Sequence, residues 1–267
     1  MLLPRVLSAI VMAVVFVYAV VAFDEVGFMF FTGAVLVVAA WEWARLSGVK
    51  RQQARIAFAG MVATLSYGVA IFELQRAMLW IAPVLWRFAL YWVVSYPKMK
   101  AWKGRVLRLG FGLSILVTTW CALVVIKQGS QFITYLILLM ALIWGADTGA
   151  YFAGRLFGKR KLARHVSPGK SWEGVVGGVF LTQVGLFIFA VNQELATSSV
   201  IILSLVGLVT VAVSVLGDLT ESLFKRHEGL KDSSHLIPGH GGVMDRIDSV
   251  TSAAPIFVLL MMNVGWL

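Results

Sequence analysis

The chain has 267 residues, 60% of them hydrophobic and only 13% charged, with a mean hydropathy of +0.86 and a formal net charge of +10. A soluble domain carries about 45–50% apolar and 25% charged residues, so this composition excludes an ordinary water-soluble enzyme and predicts an all-α, polytopic integral membrane protein. The single cysteine, Cys121, lies in an apolar run and excludes an intrachain disulfide.

Apolar stretches near the ~20 residues that a bilayer span needs recur at 4–23, 27–46, 56–73, 78–96, 106–126, 131–153, 174–192, 198–220 and 250–267. They predict about nine transmembrane helices, the third and ninth being the shortest or most interrupted by Gly and Pro. The first stretch is too long for the apolar region of a signal peptide and no A-x-A site closes it, so it reads as a span. No internal repeat, low-complexity tract or soluble domain appears. A single membrane-embedded domain, 1–267, is expected, with spans in 1–130 followed by 131–267, which carries the active site.

Basic residues alternate between the connecting segments. Twenty of the 23 Lys and Arg fall on one side, in the segments around Arg5, 45–55, 98–108, 155–170 and 225–246, whereas Arg76 and Lys127 fall on the other and Arg87 lies inside a span. The positive-inside rule then predicts a cytosolic N-terminus, cytosolic polar loops and an external C-terminus. The net charge is thereby explained by topology and anionic headgroups, with no nucleic acid partner required. Nine of the 13 acidic residues also fall toward the cytosolic side, the others being Asp24, Glu25, Glu73 and Glu194.

Taken in order, the polar features begin with Glu42 and Arg45, three apart at the end of the second span, which read as a structural ion pair. Arg87 implies snorkelling or an internal carboxylate partner. Trp41, Trp43, Trp80, Trp86, Trp92, Trp102 and Trp266 read as interface anchors or packing residues. The sixth span ends in GADTGAYFAGR, where Asp147, Tyr151 and Arg155 share a helical face. A carboxylate at a membrane span is costly and marks a functional candidate, the plainer reading being a pair with Arg155. In SPGKSWEG, a Pro-Gly turn precedes Ser171 as the N-cap of the next helix, with Lys170 beside amides able to bind phosphate.

The densest polar stretch runs from Gly217 to Asp248. Asp218, Glu221, Ser222 and Lys225 are spaced i, i+3, i+4, i+7 and share one helical face. Asp245 and Asp248 form a second pair just after His240-Gly241-Gly242, whose glycines allow backbone N–H groups to approach an anion. Taken singly, each residue reads equally well as part of a solvated loop whose charges pair with one another. Together, two acidic clusters beside cations and bare amides imply a divalent metal with phosphate next to it. No Walker loop, zinc spacing or Ser-His-Asp arrangement competes, and the reading of the residues ends at metal-dependent phosphoryl or nucleotidyl transfer to a membrane lipid.

The run S-x-F-K-R-x4-K-D-x-S-x2-I-P-x-H-G-G-V-x-D-R-I-D from Ser222 to Asp248 resembles the signature of the CDP-diacylglycerol synthases (phosphatidate cytidylyltransferases) at every position. SPGKSWEG, GADTGAY, the length and the span layout are similar to that family as well. The resemblance implies CTP and phosphatidic acid as substrates, CDP-diacylglycerol and pyrophosphate as products, Mg2+ as cofactor and a monovalent cation such as K+ as a second ion. It implies Asp218 and Asp245 as metal-binding carboxylates, supported by Asp248 and Glu221, with Asp218, Lys225, Asp245 and Asp248 as the catalytic set. Ser222, Lys225, Arg226, Lys231, His240, Gly241, Gly242 and Arg246 would line the nucleotide site, and Asp147, Arg155, Lys170 and Ser171 the lipid phosphate. The expected setting is the plasma membrane, in a bacterium the inner membrane, with membrane lipids and a second copy of the chain as partners. A cation transporter and a CTP-dependent lipid kinase are the competing classes. The first would need ionisable groups near the midplane, and the second differs only in which phosphate is attacked.

Overall fold

A backbone in lipid has no water to bond to, so apolar stretches of this length satisfy their N–H and C=O groups internally as helices. A computed structural model describes residues 2–98 and 101–267. Lys100 and the side chain of Arg5, both counted in the basic segments, lie outside the described residues. The order is α1 (Leu2–Ala22), α2 (Glu25–Leu46), α3 (Gln52–Ile71), α4 (Gln75–Met78), a 3-10 turn (Leu79–Ile81), α5 (Ala82–Ser95), α6 (Arg105–Gln128) and α7 (Phe132–Phe157). A hairpin of β1 (Lys161–Ala163) and β2 (Ser167–Ser171) follows, then α8 (Trp172–Asn192), α9 (Thr197–His227) and α10 (Met244–Asn263).

Seven helical segments among the described residues are long and apolar enough to cross a membrane: α2, α3, the run Gln75–Ser95, and α6 to α9. The all-α membrane class is therefore correct. Helix α1 has 21 residues, apolar from Val6 to Ala22 among the described side chains, and α10 opens with Asp245, Arg246 and Asp248. Large apolar side chains such as Val14, Phe30, Phe88, Val94 and Phe180 are exposed around the bundle, as a lipid-facing surface requires.

At the centre lies α10, whose residues from Thr251 to Leu259 are all buried, packed against α9, α6, α7, α5 and α2. Beside it, Trp43, Trp92, Trp102, Phe111 and Phe224 form one aromatic cluster, with centroids 5.0 Å apart for Trp43 and Phe224 and for Trp92 and Phe111. Edge-to-face pairs of this kind join α2, α5, α6 and α9. Trp43, Trp86, Trp92 and Trp102 are thus packing residues. Helices α7 and α8 approach closely through glycine: a Cβ at Gly149 would lie 2.5 Å from the carbonyl oxygen of Gly177, and one at Gly178 would lie 2.6 Å from that of Ala146.

Several sequence expectations are corrected. Ser167-Pro168-Gly169 is part of strand β2 rather than a turn; its proline is tolerated because the sheet has only two strands and each is an edge. The last helix begins at Met244, so Asp245 and Asp248 stand in its first turns, and α9 continues past 220 to His227. Glu42 and Arg45 do not pair with each other: Arg45 Nη1 donates to the carbonyl of Ser233 at 2.8 Å, and Glu42, fully buried, is bound elsewhere. Arg87 is exposed on α5 and has no carboxylate partner among the described residues.

Candidate active site

Helix α9, with 31 residues, is about 46 Å long at 1.5 Å per residue, against a hydrocarbon thickness of about 30 Å. Its last turns therefore extend beyond the apolar layer and can carry charge. There Glu221 is 1% exposed, and Lys225 Nζ lies 2.5 Å from Glu221 Oε2 and 2.8 Å from Asp245 Oδ1. Among the described residues neither Glu221 oxygen has a hydrogen-bond donor in good geometry, and Oε1 lacks even the ion contact. One turn earlier, Asp218 Oδ2 takes an ion pair from Lys170 Nζ at 2.6 Å, and Asp218 Oδ1 accepts from Ser222 Oγ at 3.3 Å. The predicted single face of α9 is thus real, and its partners come from β2 and α10.

Asp245 closes the loop that precedes its own helix. Its Oδ2 accepts from Ser233 N (2.9 Å), Ser233 Oγ (2.9 Å) and Gly242 N (2.8 Å). At Gly241 φ is +86°, and a Cβ there would lie 2.6 Å from the same oxygen. The Gly242 amide, expected to face an external anion, is therefore used on an internal carboxylate. The rest of the loop turns at Pro238-Gly239, where φ of +75° at Gly239 and the bond from His240 N to Ile237 O (3.0 Å) match a type II turn.

A second carboxylate holds this loop, and sequence reasoning missed its role. Glu42 on α2 accepts from Ser234 Oγ (2.5 Å), Met244 N (2.6 Å) and Val243 N (3.1 Å), and lies 3.0 Å from Ser233 Oγ, whose single proton it shares with Asp245. The available signal was a carboxylate in an otherwise apolar helix, the kind of residue a membrane protein retains only with partners. Two further supports were missed. Arg108 on α6 pairs with Glu228 and reaches the carbonyl of Leu46, and Ser8 on α1 bonds His240 Nδ1 at 2.7 Å and the Pro238 carbonyl at 3.0 Å.

Asp147 on α7, Asp218 on α9 and Asp248 on α10 complete the cluster. Asp147 is within electrostatic range of Lys170, Asp218 and Arg246. Asp248 is within range of Asp218, Lys225 and Lys170. Five carboxylates thus face Lys170, Lys225 and Arg246, a surplus of negative charge when all are ionised. Lys170, assigned to the lipid phosphate, and Asp218, assigned to metal, are direct neighbours in one site. Other expected residues have different partners or none among the described residues. Arg155 is exposed and donates to Tyr151 OH at 3.0 Å rather than to Asp147; Arg226 reaches the Val166 carbonyl at 3.4 Å; Lys231 is exposed. Ser171 is buried and caps α8, accepting from Gly174 N at 3.1 Å, as expected of an N-cap.

Among the described residues no three His, Cys, Asp or Glu side chains already converge as a metal site. The donor set nonetheless fits a divalent cation in kind and charge: hard carboxylate oxygens, more anions than cations, and a buried Glu221 oxygen without a partner. Converging carboxylates, lysines and an arginine at the end of long apolar helices can hold a polyphosphate next to a lipid headgroup.

Comparison with protein families matches residues 3–264 to the cytidylyltransferase family. A phosphatidate cytidylyltransferase of Pseudomonas aeruginosa is 44% identical over 270 residues, covering 100% of this chain and 99% of that protein. One of Haemophilus influenzae is 43% identical over 282 residues, covering 96% and 97%, and one of Brucella suis is 32% identical over 256 residues, covering 96% and 91%. With the match spanning nearly the whole chain, and the carboxylate and lysine cluster lying within it, the chain belongs to the cytidylyltransferase family and is a nucleotidyltransferase.

Proposed function

We propose that the chain transfers the cytidylyl group of CTP to phosphatidic acid at the cytosolic face of the membrane, releasing pyrophosphate. The observation that carries this reading is the joint cluster of Lys170, Asp218, Lys225 and Asp245, built from the ends of spanning helices and the hairpin between two of them. A phosphate oxygen of phosphatidate attacks the α-phosphorus. The new P–O bond forms as the bond from that phosphorus to the bridging oxygen of pyrophosphate breaks. The attacking oxygen is already anionic, so no strong general base is needed, and Lys170, Lys225 and Arg246 act by orienting the phosphates and neutralising charge. Asp218, Asp245 and Asp248, with Glu221, would hold Mg2+. When bound, that ion supplies Lewis-acid polarisation of the phosphates. Asp245 is the most committed of the four, since the Ser233 and Gly242 amides already hold one of its oxygens and Lys225 the other. K+ as a second ion rests on the family resemblance.

An apolar groove of about 500 Å3 between α7 and α8 supports a lipid substrate. Its lining includes Ile137, Ala141, Gly145, Leu181 and Gly185, and it ends two residues short of Asp147. We assign it to an acyl chain of phosphatidate. The orientation follows from the basic segments, with nine spans, the N-terminus and the cluster toward the cytosol and the C-terminus outside.

Purified protein supplied with phosphatidate and CTP labelled at the α or the γ phosphate tests the reaction. Label from the α position should enter lipid. Label from the γ position instead would make the chain a lipid kinase, and no transfer from either would favour a transporter.

A further inference from the structure

At the end of the bundle opposite the cluster lies a cavity of about 620 Å3 between the start of α2, the end of α3, α4 and the end of α6. Glu25 is 17 residues before Glu42 on the same helix, about 25 Å away along its axis. Polar lining comes from Glu25, Glu73, Gln75, Arg76 and Gln128, and apolar lining includes Met29, Ile71 and Val124.

Three observations say that this cavity is built for an occupant. Gln75 lines it with 9% exposure, and its side-chain amide makes no hydrogen bond among the described residues. Its amide reaches solvent only through the cavity, so a ligand there can take up its donors and acceptor. Secondly, Glu25, Glu73 and Arg76 share the cavity without forming an ion pair among the described residues, although Glu73 and Arg76 are only three apart in sequence. The neighbouring cation, Lys127, does not neutralise Glu25 by contact: its Nζ donates to the Val20 carbonyl at 3.1 Å and sits 3.9 Å from the Phe132 ring centroid. Thirdly, the lining is part apolar and part charged and lies at the ends of four spanning segments, where the hydrocarbon layer gives way to headgroups.

Two carboxylates, one guanidinium and two amides above an apolar wall complement an amphiphile that carries one ammonium and one phosphodiester. We infer that this cavity binds a phospholipid whose headgroup ends in a primary ammonium, of the phosphatidylethanolamine class. Glu25 and Glu73 receive the ammonium, Arg76 the phosphodiester, and Gln75 and Gln128 the remaining oxygens. The N–H groups of a primary ammonium can donate to both carboxylates, which the methylated ammonium of phosphatidylcholine cannot. The site does not depend on the proposed reaction, and its occupant is not the acceptor of that reaction.

Native mass spectrometry of the purified full chain, equilibrated with equimolar phosphatidylethanolamine, phosphatidylcholine and phosphatidylglycerol, tests the inference. The wild type should retain phosphatidylethanolamine in preference to the other two by roughly tenfold, the equivalent of one charged hydrogen bond. The Glu25→Gln/Glu73→Gln double variant should lose that preference while keeping its melting temperature. Arg76→Gln should lower retention of all three lipids. Equal retention by the wild type, a preference for phosphatidylglycerol, or a preference that survives in the double variant would overturn the assignment. So would displacement of the lipid by equimolar glycerophosphoethanolamine, which would make the natural occupant a soluble compound.

Discussion

Lys225 illustrates how one side chain serves both structure and chemistry. Its ammonium lies between Glu221 and Asp245, in a position where a metal or a polyphosphate would compete for the same carboxylates. Lys225→Ala leaves two largely buried carboxylates facing each other and should cost about 3 kcal/mol of stability as well as activity. Adding Glu221→Gln should recover much of the melting temperature but none of the turnover. A double variant no more stable than Lys225→Ala alone would mean that the lysine is not coupled to Glu221. Glu42 makes the complementary case. Its two oxygens accept from Ser234 Oγ, Val243 N and Met244 N and share the Ser233 hydroxyl with Asp245, so Glu42→Gln turns an amide donor toward backbone N–H groups. A loss of about 2–3 kcal/mol is expected, read as a lower melting temperature with transfer activity strongly reduced. A melting curve identical to wild type would show that the loop stands without it. The sequence reading correctly placed Asp218, Glu221, Ser222 and Lys225 on one face because helical periodicity is local. It misassigned Glu42 because the residues that bind it are about 190 positions away in sequence.

Among the elements, α7 and α8 define the side of the site nearest the lipid. Their glycines let the two backbones touch, bringing the hairpin residue Lys170 to Asp218. The groove between them is a property of the pair and of neither helix alone. Gly185 lines that groove, and a Cβ built on it meets nothing within 4 Å, so a larger side chain can enter the space without moving the backbone. Gly185→Phe should raise the apparent Michaelis constant for long-chain phosphatidate, with a smaller rise for short-chain phosphatidate and none for CTP, the pattern of lost ground-state binding. Equal effects on both substrates would place the acyl chain elsewhere. The hairpin itself escaped sequence reading because Ser-Pro-Gly is also turn chemistry, and a two-stranded sheet needs its partner strand before the same residues become extended.

For the whole molecule, the separation of basic residues predicts that a reporter fused after Leu267 lies outside, while reporters in the 98–105 and 155–170 segments are cytosolic. A cytosolic C-terminus would remove one span, and α10 is the candidate, since its first turns carry Asp245, Arg246 and Asp248. Hydropathy by itself determined the membrane class and the approximate helices, since a lipid solvent leaves an apolar run of ~20 residues little alternative to helix. The motif from Ser222 to Asp248 by itself determined the chemical family, because so many polar and glycine positions at fixed spacing leave little room for chance. Tertiary structure alone decided which charges meet. It joined Lys170 to Asp218 across 48 positions, closed the loop onto Asp245 and Glu42, and gave Arg226 and Arg155 the Val166 carbonyl and Tyr151 hydroxyl as partners. Those contacts depend on how helices pack, and packing is set by side chains far apart in sequence whose approach no local pattern records.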